Sequence, residues 1–260
     1  MATTTAAPAP YDVLAPAYDT IVADYDYPRW LDVIETIARR HGFRGRRVLD
    51  VACGTGASFM PLLERGHEVV GCDISYAMLE RARERAGDRD VELHWADMRA
   101  LPQLGEFDLV LCLDDAINHL LGVDDVALAL DGMARNLTAG GILVFDVNTL
   151  SALRAGVTAD WTWKDEHRIV RWLGLGPRDL PPDGTGSARV TVLDGGAPPR
   201  TTLIRERHHP VARLRSQVEA AGLELVAACG QRQGIRVTET VDEERDDKAL
   251  LFARRVGAGA

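Results

Sequence analysis

The stretch Asp50-Val51-Ala52-Cys53-Gly54-Thr55-Gly56 joins a carboxylate to a turn built on two glycines. Gly54 and Gly56 let the backbone bend sharply and approach a ligand with no Cβ in the way. Asp73 follows at the end of the next apolar run, where an acid can accept hydrogen bonds from both hydroxyls of a ribose. Together these residues describe a seat for a nucleoside-like cofactor. A dinucleotide fingerprint puts a third small residue where this chain has Phe59, and a triphosphate loop carries a lysine that this turn lacks. Further along, Asp114-Asp115-Ala116-Ile117-Asn118-His119 gathers two carboxylates and an imidazole. Imidazole titrates near neutrality, so such a group can take a proton from an attacking atom while a carboxylate orients the partner. His119 suits equally a helix start hydrogen-bonded to backbone, and Asp115 a solvated loop.

Alternating strands and helices must position these groups. Residues 28–41 carry Trp30, Leu31, Ile34 and Ile37 at helical spacing, closed by Gly42. Apolar runs at 47–51, 68–73, 91–95, 107–113 and 142–146 read as buried strands. Between them fall helices at 57–65, after a Ser75 cap, and along the stripe Val126, Leu130, Met133 and Leu137. This rhythm implies a parallel sheet covered on both faces, whose ligands sit at the carboxyl ends of the strands. Asp50, Asp73, Asp97, Asp114, Asp115 and Asp146 all fall at those ends or in the turns after them. Beyond Asn148 the alternation breaks into strands at 168–173, 188–193 and 201–208, separated by Gly/Pro/Asp turns. An antiparallel insertion is expected there. A helix at 211–221 and strands at 223–228 and 249–253 then complete the sheet.

Composition sets the outer limits. The chain has 260 residues and is 46% apolar, which excludes a wholly disordered protein. Thirty basic residues against 39 acidic give a net charge of −9, which argues against a nucleic-acid partner. Only Lys164 and Lys248 are lysine, and four of the five tyrosines (Tyr11, Tyr18, Tyr25, Tyr27) lie in the first 27 residues. The four cysteines are widely spaced and predict neither a disulfide scaffold nor a zinc site. The opening residues lack the pattern of a signal peptide and no run is long enough to span a membrane, so a cytoplasmic protein is expected.

The first loop resembles the first motif of class I S-adenosylmethionine-dependent methyltransferases, acid-x-x-x-Gly-x-Gly after the first strand. The likeness continues at Asp73, at Asp97-Met98, in FDLVLCLDDAINHLL, and in ERHHP-x-x-x-LRSQVEAAGLELV with KALLFARR. It implies an α/β fold with a Rossmann-like, seven-stranded, mostly parallel sheet, helices on both faces, and an antiparallel β insertion between strand five and the last helix. The organisation implied is a tail at 1–10 and a single methyltransferase domain at 11–255, with a second tail at 256–260. Within the domain, lid helices occupy 11–42 and an insertion 150–208. S-adenosyl-L-methionine is the implied cofactor, and a site with several carboxylates and no phosphate clamp suits its sulfonium. Carried over, Asp50 and the Gly54/Gly56 loop hold its amino-acid portion, Asp73 its ribose and Asp97 its adenine amine, with Met98 against the ring. Ala52, Ile74, Met78, Leu113, Tyr11 and Tyr18 complete the expected cofactor contacts. Tyr11 and Tyr18 also match the Tyr-Asp…Tyr-Asp pattern of a helix capping the pocket.

The segment from Asp114 to His119 resembles small-molecule N-methyltransferases acting on amino sugars and glycine-like amines. It implies a small-molecule acceptor, nitrogen before oxygen, a place in secondary metabolism, and catalytic roles for His119, Asp115 and Tyr18. Phe145-Asp146-Val147-Asn148-Thr149 departs from the Trp/Pro-rich segment of the amino-sugar enzymes. No metal ligand is expected, although an Asp114, Asp146 and Asn148 rim also resembles metal-dependent catechol O-methyltransferases. A cofactor-binding protein without catalysis is a further alternative, and a homodimer stays open. Trp161, Trp163 and Trp172 are expected to form the insertion's core, and only one of His208 and His209 to point inward.

Overall fold

The computed structural model describes residues 10–256. Of the expected tails at 1–10 and 256–260, residues 1–9 and 257–260 lie outside this range, whereas Pro10 already begins a helix, α1 (Pro10–Leu14). After α2 (Tyr18–Ile21) comes α3 (Tyr27–Arg40), capped by Asp26, whose side chain accepts the Arg29 N–H at 3.1 Å. Trp30, Leu31, Ile34 and Ala38 form its buried stripe.

The first half of the chain then alternates: β1 (Arg47–Val51), α4 (Met60–Glu64), β2 (Glu68–Asp73), α5 (Tyr76–Ala86), β3 (Glu92–Trp95), β4 (Phe107–Cys112), α6 (Val123–Arg135) and β5 (Leu137–Asn148). Ser75 caps α5 by accepting the Met78 N–H at 3.2 Å. The helix expected at 57–65 is shorter, because residues 57–59 are taken up by turns that carry the glycine loop, and Pro61 sits in the first turn of α4. Leu137, expected on the α6 stripe, instead begins β5.

An insertion follows: α7 (Leu150–Gly156), β6 (Asp160–Lys164), β7 (Arg168–Gly174), β8 (Thr185–Asp194) and β9 (Arg200–Arg207). The last elements are α8 (Val211–Ala220), β10 (Leu223–Arg232), β11 (Arg236–Thr238) and β12 (Lys248–Arg255).

The main sheet has eight strands in the order β11-β10-β12-β5-β4-β1-β2-β3, one more than expected. The extra strand is the three-residue β11, too short to show a period of two in the sequence. β1 to β5 run parallel, and the pairings β5–β12, β12–β10 and β10–β11 are antiparallel, so the sheet is mixed and Rossmann-like. α3, α4 and α5 pack on one face, and α6 and α8 on the other. The strand order reverses between β1 and β4, and ligand crevices in such sheets open at that switch.

The insertion is a separate antiparallel sheet in the order β6-β7-β8-β9. It has four strands where three were expected, since β6 (DWTWK) puts Trp161 and Trp163 on one face without any apolar run. Leu14 and Ala17 of the N-terminal segment pack with Val170, Val190, Val192 and Ile204 on this sheet.

Candidate active site

β1 delivers Asp50 to the carboxyl edge of the sheet, and the chain then turns with positive φ at Ala52 (59°), Gly54 (55°) and Gly56 (81°). At Gly56 a Cβ would lie 2.5 Å from the Phe59 ring. Phe59, bulky where dinucleotide loops are small, therefore fills the space beneath the turn. Asp73, at the end of β2, ties the loop down: Oδ2 accepts the Gly54 N–H at 2.9 Å and Oδ1 the Ser75 N–H at 2.8 Å. Each oxygen keeps a second acceptor site for a ribose hydroxyl. Asp50 Oδ2 accepts the Ser58 hydroxyl at 2.6 Å, and burial pushes the Asp50 carboxyl up to about 7.

Two adjoining cavities, of about 120 and 360 Å3, share Ala52, Asp73, Ile74, Met98 and His119. The smaller is also lined by Asp50, Gly54, Met78 and Leu113, with Tyr11 and Tyr18 brought over it by the N-terminal segment. The larger is bordered by Asp97, whose carboxylate is gripped by Arg99, and that hydrogen bonding holds it below the ordinary range. Gly56 lines neither cavity and shapes the loop instead. The donor set fits S-adenosylmethionine: no lysine or arginine lines the smaller cavity, which presents Asp50, Asp73 and Asp114 beside apolar Met78, Met98 and Leu113.

A third cavity, of about 310 Å3, lies under the inserted sheet and is lined by Asp114, Asp115, Asn148, Glu206 and Lys248. Tyr11, Tyr18 and Asp114 line both this chamber and the smaller cofactor cavity, so the two meet there. Asp115 therefore faces this chamber. Trp161, Trp163 and Trp172 also line the chamber. Trp163 and Trp172 pack, as expected, against the insertion's apolar cluster, whereas Trp161, expected there too, pairs across the strands with Trp172 and is 45% exposed.

His119 lines the first two cavities, behind Tyr11, with both ring nitrogens engaged. Nδ1 lies 3.1 Å from the Arg205 carbonyl of β9, and Nε2 lies 2.8 Å from the Tyr11 hydroxyl. A carbonyl can only accept, so Nδ1 carries the ring proton and Nε2 accepts from Tyr11. Burial holds the Tyr11 and Tyr18 phenols well above their ordinary pKa.

Lys248, the first residue of β12, organises the acids. Its Nζ donates to Asp115 Oδ1 at 2.6 Å and Asp146 Oδ2 at 2.7 Å, and lies 5.9 Å from the centre of the Trp30 ring. Asp114 and Asp115 are consecutive residues with positive φ (58° and 52°), a strained pairing for side chains that carry a Cβ. Three bonds hold it: Lys248 to Asp115, the Asp115 N–H to Asp146 Oδ2 at 3.0 Å, and the Tyr27 hydroxyl to Asp114 Oδ2 at 2.6 Å. Burial raises Asp114 to about 7, whereas the Lys248 ammonium overcomes burial and holds Asp115 low. Of the Asp114, Asp146 and Asn148 rim, Asp146 is therefore engaged by an ammonium. Asp115, His119 and Glu206 each bring a ligand atom within 4.8 Å of the others, but Lys248, Tyr11 and Asn148 already engage them.

Sequence reading missed Lys248, Glu206, Tyr27 and the strut Asn118. Asn118 is fully buried, accepts the Asn148 N–H at 2.8 Å and donates to the Arg207 carbonyl at 2.8 Å, which joins β5 to β9. The available signal for Lys248 was its rarity in a chain whose other basic residues are almost all arginine. His208 and His209 are both buried, because they lie beyond β9 where strand alternation no longer applies. His208 Nε2 meets Glu243 at 2.7 Å and His209 Nε2 the Leu120 carbonyl at 2.9 Å.

Comparison with known proteins agrees with this geometry. Residues 48–141 match a family model described as a methyltransferase domain. The Bacillus subtilis protein YqeM is 32% identical over 165 residues, 63% of this chain, and the match spans 65% of that protein's length. A glycine/sarcosine N-methyltransferase of Parasynechococcus marenigrum is 34% identical over 206 residues, 78% of this chain and 71% of that one. Among solved structures, an S-adenosylmethionine-dependent methyltransferase from Clostridium acetobutylicum shares the fold with a TM-score of 0.78 at 21% identity, covering 95% and 99% of the two chains. With the glycine loop after β1, the acid after β2 and a relative matched along most of both lengths, the chain belongs to the S-adenosylmethionine-dependent methyltransferase family.

Proposed function

We propose that the protein transfers a methyl group to a nitrogen of a small-molecule amine. The observation that carries this reading is the meeting of two cavities at Tyr11, Tyr18 and Asp114, beside a base, His119, whose tautomer is fixed by a backbone carbonyl. Bound in the smaller cavity, S-adenosylmethionine would supply a methyl on a cationic sulfonium, given up to the nitrogen lone pair while sulfur keeps the pair of the broken C–S bond. The chain's own part is to hold the amine at the junction and remove its proton. That proton passes to the Tyr11 oxygen as the Tyr11 proton moves to His119 Nε2. Asp50, Gly54 and Asp73 seat the cofactor, with Ala52, Ile74, Met78, Met98 and Leu113 around it and Asp97 at the edge. The N-terminal segment and the inserted sheet close over both ligands and exclude water.

Nitrogen is favoured over oxygen by the acids at the junction, which attract an ammonium and offer nothing to stabilise a phenolate. The glycine/sarcosine N-methyltransferase relative supports the same choice. Assays with isotopically labelled S-adenosylmethionine against a panel of amines and phenols test the proposal. N-methylated product that forms equally well with a chelator present is expected. Transfer to phenols alone, or loss of transfer with the chelator, would overturn it.

A further inference from the structure

The charges of the acceptor chamber name a class of substrate. Asp114, Asp115 and Glu206 line it, and Lys248 is its one lining lysine or arginine among the described residues. Lys248 already donates to two carboxylates, Asp115 and Asp146. Nearby guanidinium groups point elsewhere. Arg171 grips Asp160 with Nε and Nη2, and Arg207 donates to the Leu121 carbonyl and approaches Asp183 at 3.8 Å. Burial raises both Asp114 and Glu206, the response of acids that lack a full counter-charge.

The roof has a direction. On the inward face of the inserted sheet, register aligns Trp161 with Trp172, Trp172 with Val190, Ala188 with Ile204, and Gly186 with Glu206. The face therefore runs from tryptophan at β6 through aliphatic residues to a carboxylate at the end of β9. That carboxylate lies on the side of Asn148, whose amide donates to Glu206 Oε2 at 3.1 Å. The acids mark the end shared with the cofactor, and the indoles mark the far end.

We infer that the acceptor is a cationic amine on an apolar body of one or two rings, carrying neither phosphate nor carboxylate. An acceptor of this class presupposes the N-methyl transfer proposed above. The ammonium enters against Glu206 and Asp114 among the tyrosine rings, which also favour a cation. The ring body lies against Trp161, Trp163 and Trp172. The chamber's size falls in the usual range for small-molecule sites. A nucleotide-linked amino sugar would bring two phosphates, and an amino acid a carboxylate, into a chamber with no uncommitted cation to receive them.

The test compares charge-matched probes. With S-adenosylhomocysteine bound, calorimetry at neutral pH compares tryptamine, benzylamine and cyclohexylmethylamine with indole-3-propionate, and labelled-methyl assays add glycine and a nucleotide-linked amino sugar. At least one ring amine is expected to bind more than about tenfold tighter than indole-3-propionate and to be methylated faster than glycine or the nucleotide sugar. Glu206→Gln should shrink the preference for the cation, and Glu206→Lys should reverse it. Equal or tighter binding of the anion, failure of all three ring amines to bind, or a higher kcat/KM for glycine or the nucleotide sugar would overturn the inference. In that last case N-methyl transfer itself stands. Ring amines that bind while only phenols are methylated would instead remove the N-transfer reading.

Discussion

In the proposed mechanism His119 and Lys248 divide the work at the site, one handling a proton and the other holding charge in place. Because Nε2 of His119 accepts from Tyr11, His119→Ala should lower kcat on an amine by about 100-fold while cofactor affinity stays within a few-fold. Steady-state kinetics with a cofactor titration separates the two effects, and an unchanged kcat would remove His119 from the proton path. Tyr11→Phe should lower kcat in the same direction by interrupting the relay. Lys248→Met leaves Asp115 and Asp146 buried without their ammonium, which should cost about 3 kcal/mol in denaturant unfolding. The loss should shrink as pH falls, since an unpaired buried carboxylate is tolerated once protonated. Asp50, Asp73 and the glycine pair were legible in the sequence because a backbone turn and a strand end fix them locally. Lys248 was not, since its partners lie 133 and 102 residues away and only the sheet order brings β12 beside β5.

The N-terminal segment is bound to two different bodies. Asp19 accepts the Thr55 hydroxyl at 2.7 Å and pairs with Arg85 at 2.7 Å, and Ser75 donates to Asp12, which ties the segment to the cofactor half. Thr20 donates to Asp165 of the insertion, and Leu14 and Ala17 pack beneath it. If this segment closes the site, Asp19→Ala combined with Thr20→Val should weaken cofactor binding by roughly tenfold, as expected for three partly exposed polar contacts. Hydrogen exchange across residues 10–21 should quicken in the same variant. Unchanged affinity with faster exchange would show a segment that is attached but does not retain the cofactor. The early tyrosines signalled such an element because four in 27 residues exceed what a surface helix needs. β6 and β11 escaped notice for another reason: β6 offers only two alternating tryptophans and β11 only three residues, too little to stand out as an apolar run.

The molecule as a whole carries an acidic site inside an acidic chain, and its stability should report that. Asp50 and Asp114 are held at about 7 by burial against an ordinary value of 3.8. Raised values mean the folded state keeps protons that the unfolded chain releases. Their contribution is complete below about pH 4 and is lost as pH climbs through 7. Asp50→Asn, which cannot ionise, should therefore gain stability relative to the parent across that window, by up to about 4 kcal/mol at its upper end. Denaturant melts at several pH values check the sign, and a gap that closes as pH rises would refute it. The central claim, methyl transfer to nitrogen, is tested most directly with tyramine, which offers an amine and a phenol on one ring body. After turnover with labelled S-adenosylmethionine, NMR locates the methyl group. A methyl on nitrogen is the expected result, and a methyl on oxygen, or none on either atom with cofactor bound, would contradict the claim.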